Sequence, residues 1–262
     1  RLFVLDRDAA GSGLSQKSTS ANRFVQDTRA AVRQNAVMAD QDFVPALGRA
    51  AFTGDYDRVI AVMTRERRWR AALMQELQPK DGETIVDVGA GTGSQAILIK
   101  QSAPSARVIA LDPDPVVIGL AGAKALKAGV QIEFVQGMGD QTHALVGTAV
   151  ADAVVSSLVL HQCPLAAKVA ILNSMFQCLK PGGRLRIADY GLQRTLLMSL
   201  LFRQVRTLDG FENTKANKDG RLPELIGAAG FADVAETHVI ATPTGSISLY
   251  RARKPKDASA GG

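Results

Sequence analysis

The stretch "IVDVGAGTGSQAI", residues Ile85 to Ile97, constrains this chain more than any other. An apolar run rich in β-branched residues enters three glycines at alternate positions, Gly89, Gly91 and Gly93, and helix-forming residues follow at once. That order reads as a buried strand handing over to a helix through a turn stripped of side chains. Further apolar strands are expected near 107–111, 132–135, 151–156, 184–188, 234–241 and 246–251, mostly with helical segments between them. The alternation predicts an α/β fold: a doubly wound, seven-stranded, mostly parallel sheet with helices on both faces. "PTGS", Pro243 to Ser246, reads as a tight turn, so the sheet should close with an antiparallel hairpin. In such sheets ligands bind at the carboxyl ends of the strands, where the first strand turns into the first helix. Glycines there let a ligand lie against the backbone, and the helix that follows offers free N–H groups.

Near-helical spacing of Val59, Val62, Met63, Trp69, Leu73 and Leu77 predicts helix over roughly 43–78, so an N-terminal helical cap is expected over 38–80. The main domain should run from 81 to 252 with an insertion at 191–220, and 253–262 should be a tail. The chain opens on Arg1 and its first methionine is Met38. Residues 1–37, rich in small and polar side chains, are expected to be a disordered or loosely helical extension upstream of the natural start, without function.

The net charge of +6 invites a nucleic-acid reading, but residues 1–37 carry +3 and residues 251–262 another +3, which leaves the body between them neutral. No nucleic-acid partner is therefore expected. The basic cluster "TRERRWR", Thr64 to Arg70, is taken as a solvated helix face with one amphipathic tryptophan. Cys163 and Cys178 form neither a disulfide framework nor a metal pattern, so no metal is expected. No apolar run approaches the ~20 residues that span a bilayer, and a reducing cytoplasm is the simplest home.

The spacing of the glycines bears on the ligand. A dinucleotide fingerprint is G-x-G-x-x-G or A, whereas "GAGTGS" has its third glycine one residue early. Asp87, just ahead of the loop and expected at the mouth of the site, would repel a pyrophosphate but attract a ligand bearing an α-ammonium group and a sulfonium. Asp112 ends the second strand in "VIALDPD", where a carboxylate can accept hydrogen bonds from both ribose hydroxyls. A nucleoside with a cationic amino-acid tail is implied. The plainer readings, Asp87 as an anchor of the glycine turn and Asp112 as part of a turn before proline, stay open.

At this point the chain resembles the class I S-adenosylmethionine-dependent methyltransferases, and among them the ubiquinone/menaquinone-biosynthesis-like group acting on small molecules. The resemblance covers roughly 50–252 and rests on "VDVGAGTG", "ALDPD", "FVQGMGD", "ADAVVSSLVLHQCP", "LKPGGRLRIADYG" and "LPELIGAAGFADV", in family order. It implies a Rossmann-like methyltransferase fold that binds S-adenosylmethionine and releases S-adenosylhomocysteine. Carried over, it gives Asp87, Gly89, Ala90, Gly91 and Gly93 to the methionine portion of the cofactor, Asp112 to the ribose, and Pro113 to the side of the adenine. Many relatives place an Asp after the third strand to reach the adenine amino group; "QGMGD" has Met138 there, followed by Gly139 and Asp140. Either Met138 packs on the adenine face, the preferred reading, or Asp140 takes over. Ser156, Ser157 and Leu158 would border the methionine chain, and Tyr56 resembles a tyrosine that closes over the cofactor. "LKPGGRLRI" is read as structural, a turn at Pro181–Gly183 that brings the fifth strand into the sheet.

The implied reaction is methyl transfer to a small, apolar or aromatic acceptor: a quinol, phenol, lipid or amine. Alignment of acceptor and methyl can contribute roughly 7–11 kcal/mol without a base. Candidates for a base are His161, Asp189 and Tyr190, with His161 as a helix cap the plainer alternative. His143 and His238 look like surface residues. In the insertion, "LQRTLLMSLLFRQVRTLDGF" is apolar around much of its circumference, so it must be buried in the core, join a second copy in a homodimer, or face an apolar acceptor. Arg194, Arg203 and Arg206 interrupt it and could meet an acidic group. Two rivals stay open: a non-catalytic protein that binds S-adenosylmethionine, and an NAD-linked oxidoreductase.

Overall fold

The computed structural model describes residues 63–256. Helix α1 (Glu66–Leu77) leads into β1 (Thr84–Val88), α2 (Ser94–Ser102), β2 (Arg107–Asp112), α3 (Pro115–Lys127) and β3 (Glu133–Gln136). After a short 3-10 turn come α4 (Thr142–Val146), β4 (Ala151–Ser157), a second 3-10 turn (Leu160–Gln162), α5 (Leu165–Cys178) and β5 (Leu179–Tyr190). Helices α6 (Leu196–Asp209), α7 (Phe211–Lys218) and α8 (Leu222–Ala228) precede the closing strands β6 (Ala232–Thr242) and β7 (Gly245–Arg253).

The seven strands form one sheet in the order β3-β2-β1-β4-β5-β7-β6. Neighbours from β3 to β5 are parallel, while β7 is antiparallel to both β5 and β6. The hairpin is as expected, with Thr242 paired to Gly245 across Pro243 and Thr244. The chain reverses its direction across the sheet between β1 and β4, so a crevice opens beyond their carboxyl ends.

Alternation along the strands divides the core between two faces. On one, Val86, Val88, Ile109, Leu111, Val154, Leu185 and Ile187 pack with Ile171, Leu172 and Met175 of α5 and with Leu222, Leu225 and Ile226 of α8. On the other, Ile85, Val108, Val155, Ile247 and Leu249 meet Trp69, Leu73 and Leu77 of α1, Ala96 and Ile99 of α2, and Phe202 and Val205 of α6.

Three expectations need correction and a fourth, for α6, is narrowed. The helix expected over roughly 43–78 is interrupted in its described part: Arg65 takes a left-handed conformation (φ 51°) and α1 starts after it. Trp69 is not an amphipathic surface residue but is 0% exposed. The position that looked like a solvated face is the one from which α1 docks on the sheet, and Arg70 lies over the ring, 4.4 Å from its centroid. The turn at Pro181–Gly183 is absorbed into β5 as an irregularity, since Ala151 pairs with Leu179 but Ala153 with Arg184. Finally, α6 is buried only along one stripe, at Phe202 and Val205. Leu196, Leu197, Leu200 and Leu208 are 92%, 64%, 63% and 79% exposed. The extension at 1–37 and most of the helical cap, with Tyr56, lie outside the described residues.

Candidate active site

Register places the glycine loop. Val88 pairs with Leu111 on one side and Ser156 on the other, so the residues after β1 lie between the ends of β2 and β4. The loop is fastened by Gly89 and Ala90 N–H donors to the Leu111 carbonyl, at 2.8 and 3.0 Å. The glycines differ in what they permit. A side chain at Gly89 would strike Val159 Cγ2 at 2.2 Å, and one at Gly93 would press on Ala121 at 3.1 Å, so both are packing requirements. Gly91 (φ +55°) faces open space with nothing within 4 Å, and is the position where a ligand can approach the backbone.

Asp87 corrects another expectation. It is not at the mouth of the site but 0% exposed, on the central strand beneath the loop. Neither carboxylate oxygen has a hydrogen-bond partner among the described residues. The Ala96 amide is near without making a well-formed bond. Burial raises its pKa to about 7; the Arg70 guanidinium pulls the other way, and the neighbouring charge of Asp112 pushes it further up. Arg70 is itself positioned by Gln95, whose Oε1 accepts from it at 3.3 Å.

Asp112 is half-buried at the end of β2. Its Oδ2 accepts from Gly91 N at 2.8 Å and its Oδ1 from Asp114 N at 3.0 Å. Burial raises its pKa, opposed by those two amides. Each oxygen keeps a lone pair for a further donor. Asp114 caps α3, accepting from Val116 and Val117 N–H groups. Pro113 follows Asp112, and its carbonyl accepts from Gln136 Nε2 at 3.3 Å, which draws the end of β3 to the same edge. Met138 and Gly139 form the next turn, both partly exposed, with Asp140 beyond them and exposed. The turn is closed by Gln141 Oε1, which accepts from Met138 N at 3.1 Å.

Beyond β4, Ser156 Oγ donates to the Val88 carbonyl at 2.8 Å and so locks the two strand ends together. Ser157 is half-buried and Leu158 adopts a left-handed conformation (φ +57°), strained backbone for a γ-branched residue. The strained turn is held from several sides. Leu158 N donates to the Ala188 carbonyl at 2.8 Å. Lys168, 0% exposed on α5, donates to the Leu160 carbonyl, and burial lowers its pKa. Asp189, 1% exposed, accepts from Leu160 N at 2.7 Å and His161 N at 3.3 Å.

The three base candidates do come together, in a buried cluster. His161 Nδ1 meets Asp189 Oδ1 at 2.7 Å, and His161 Nε2 lies 3.4 Å from Asp209 Oδ2 on α6. Burial alone would lower its pKa, but the two carboxylates outweigh it and raise it to about 9. At neutral pH both ring nitrogens are donors and neither has a lone pair to take a proton. Tyr190 packs edge-on to His161, with centroids 4.9 Å apart, and its hydroxyl pairs with Thr244 Oγ1 at 2.8 Å. Burial pushes the phenol up to about 12, Thr244 opposing. His143 is not a free surface residue, since its Nδ1 meets the buried Ser174 hydroxyl at 3.0 Å; His238 is exposed. In the insertion, Arg194 pairs with Glu236, and Arg206 stacks on Phe211, 4.5 Å from its centroid; Arg203 is exposed.

Sequence reasoning missed Asp209, Arg70 and Lys168. No local motif marks any of them: each reaches the site from a helix whose docking the sequence does not print.

A sheet of this order, with an acid-flanked glycine loop at its switch point and a second carboxylate at the end of β2, defines an α/β protein for a cationic nucleoside cofactor. Residues 85–183 match the family described as a methyltransferase domain, and over this stretch the chain is similar to its members. It is 29% identical over 163 residues to a ubiquinone/menaquinone biosynthesis C-methyltransferase of Syntrophotalea carbinolica, covering 62% of this chain and 67% of that one. Among solved structures, it is similar to a putative methyltransferase from Bacillus halodurans at 20% identity and TM-score 0.59, covering 71% of this chain and 98% of that one. It is also similar to a Haemonchus contortus phosphoethanolamine N-methyltransferase in complex with S-adenosylmethionine, at 16% identity and TM-score 0.58 over 72% of this chain and 52% of that one. The chain spans between about half and two thirds of the length of the first curated relatives it matches, at 67%, 54% and 53%.

Proposed function

We propose that this protein transfers a methyl group from S-adenosylmethionine to a small apolar or aromatic acceptor, a quinol, phenol, lipid or amine. The observation that carries the reading is the pair of carboxylates around the loop, Asp87 and Asp112, both with raised pKa values. A dinucleotide pyrophosphate would add to that negative charge, whereas a ligand with an ammonium and a sulfonium relieves it. The residues therefore fit S-adenosylmethionine and disfavour NAD.

In this reading Asp112 accepts from the ribose hydroxyls, and Pro113, Met138 and Gly139 flank the adenine. Gly89, Ala90, Gly91 and Gly93 supply backbone against the methionine portion, bordered by Ser156, Ser157 and Leu158. Asp87 acts from below the loop through its field, not by open contact. When bound, the cofactor supplies a methyl already activated by a positively charged sulfur. The chain's task is then to align an acceptor and exclude water. Tyr190 and Asp189 carry structural loads in this arrangement, and His161, protonated, orients groups instead of taking a proton.

That engagement of all three base candidates also favours a second reading, cofactor binding without transfer. A methyl-transfer screen over quinol, phenol, amine and thiol acceptors, beside calorimetry with S-adenosylmethionine, S-adenosylhomocysteine and NAD, separates them. Transfer to one acceptor class with no NAD binding is expected. Tight S-adenosylmethionine binding with no turnover on any acceptor would leave the second reading standing, and NAD binding alone would overturn both.

A further inference from the structure

We propose that Asp209 is a positioning residue that, through His161, ties α6 to the turn after β4 and so fixes the acceptor-side wall of the site. The inference rests on the methyltransferase reading for the word acceptor, but its geometry stands without it. His161 has two ring nitrogens and two carboxylates: Nδ1 meets Asp189 at 2.7 Å and Nε2 lies 3.4 Å from Asp209. Asp189 belongs to β5 and also holds the backbone of the strained turn, through Leu160 N and His161 N. Asp209 is the last residue of α6. The imidazole is thus a strut between the sheet edge and a helix.

Helix α6 needs such a strut. Its buried stripe holds only Phe202 and Val205, and four of its leucines are more than 60% exposed. Phe202 rests on the Tyr190 ring, 4.8 Å between centroids, which fixes the middle of the helix. Asp209 fixes its far end, just before Gly210, which adopts φ +92° and lets the chain turn into α7. Asp209 is one of the few acidic groups of the insertion, yet its side chain is 16% exposed and directed at His161 instead of solvent. An exposed helix-terminal aspartate is ordinarily unfavourable beside the negative end of the helix dipole, so its position there is explained by the imidazolium it meets. Without Asp209, His161 Nε2 is left a buried donor without its acceptor, and the helix end is free to move relative to the turn that carries Leu158.

The test uses the full chain and the variants Asp209→Ala, Asp209→Asn and Asp209→Glu. Amide hydrogen exchange over 196–209 and 158–163 reads the tie without turnover: both segments should exchange faster in Asp209→Ala, and Asp209→Glu should restore part of the protection. Nitrogen-15 spectra of the His161 ring should show the Nε2 signal moving in all three. With the acceptor found by the screen, KM should rise about ten- to a hundredfold in Asp209→Ala with kcat changed far less, and equally for a phenol and a preformed thiolate. S-adenosylmethionine affinity measured by calorimetry should stay within about threefold. Unchanged exchange in both segments overturns the tie even if activity falls, and unchanged KM with faster exchange overturns its role in acceptor placement. Failure of the wild-type chain to bind S-adenosylmethionine would instead overturn the methyltransferase reading, which exchange and ring spectra do not depend on.

Discussion

Asp87 shows how burial converts a motif residue into a charge sensor. Its pKa is about 7 in the fold against 3.8 ordinarily. A raised acid binds its proton more tightly when folded, so its contribution to stability is full below the ordinary value and is lost as pH rises through about 7. Asp87→Asn should therefore gain melting temperature over wild type as pH rises from 4 to 7, and hold that gain above; a gain that does not change with pH sinks the assignment. A cation bound nearby pulls the pKa down, so wild-type S-adenosylmethionine affinity should rise across about pH 6–8 with proton release, while the Asn variant is flat. Calorimetry in two buffers of different ionisation enthalpy measures the proton directly. Asp112 calls for a gentler substitution, because it also holds Gly91 and Asp114. Asp112→Asn should weaken binding by about 1–3 kcal/mol, and unchanged affinity would remove the ribose assignment. The acids and glycines were legible because their chemistry and spacing are local. That Asp87 is sealed, or that of the three loop glycines only Gly91 faces open space, depends on neighbours such as Val159 and Ala121 that no local pattern names.

At the scale of elements, period-2 alternation and turn residues revealed the strands and the closing hairpin, since a strand's face is set by its own sequence. Helix ends and helix exposure were harder to read. Arg65 interrupts the expected helix in a left-handed conformation without glycine or proline, and the leucines of α6 look like core until the sheet face turns out to cover only one stripe. Trp69 was hidden among arginines, although it is a principal contact of α1 with the sheet. Trp69→Ala should cost about 3–5 kcal/mol, read as a lower denaturant midpoint at unchanged slope. Trp69→Phe should cost much less, because the indole nitrogen has no hydrogen-bond partner among the described residues. Equal losses in the two variants would mean that the ring's packing is not what secures α1.

Across the whole molecule, Asp87, raised by burial, and His161, raised by its two carboxylates, lean the same way and divide the pH axis between them. Asp87 withdraws stability between about pH 4 and 7. His161 takes over from there: with a folded pKa of about 9 against 6.5, its contribution is full below 6.5 and is lost as pH rises through 9. The groups facing it are Asp189 and Tyr190 from β5 and Asp209 from α6, with Lys168 of α5 placing a second cation near Asp189. The Tyr190 phenol, at about 12, stays neutral throughout. Through these two groups the chain should accordingly weaken in two steps as pH rises from about 4 towards 10. The second step amounts to up to about 3 kcal/mol if the clamp transmits the full shift. Denaturant unfolding of wild type and His161→Gln over pH 5–10 checks this. The variant should be less stable than wild type at pH 6, lose the step between 6.5 and 9, and approach wild type at pH 10. A constant difference across that range would mean that His161 stabilises the fold by packing on Tyr190 alone, and the imidazolium between its two carboxylates would have to be given up.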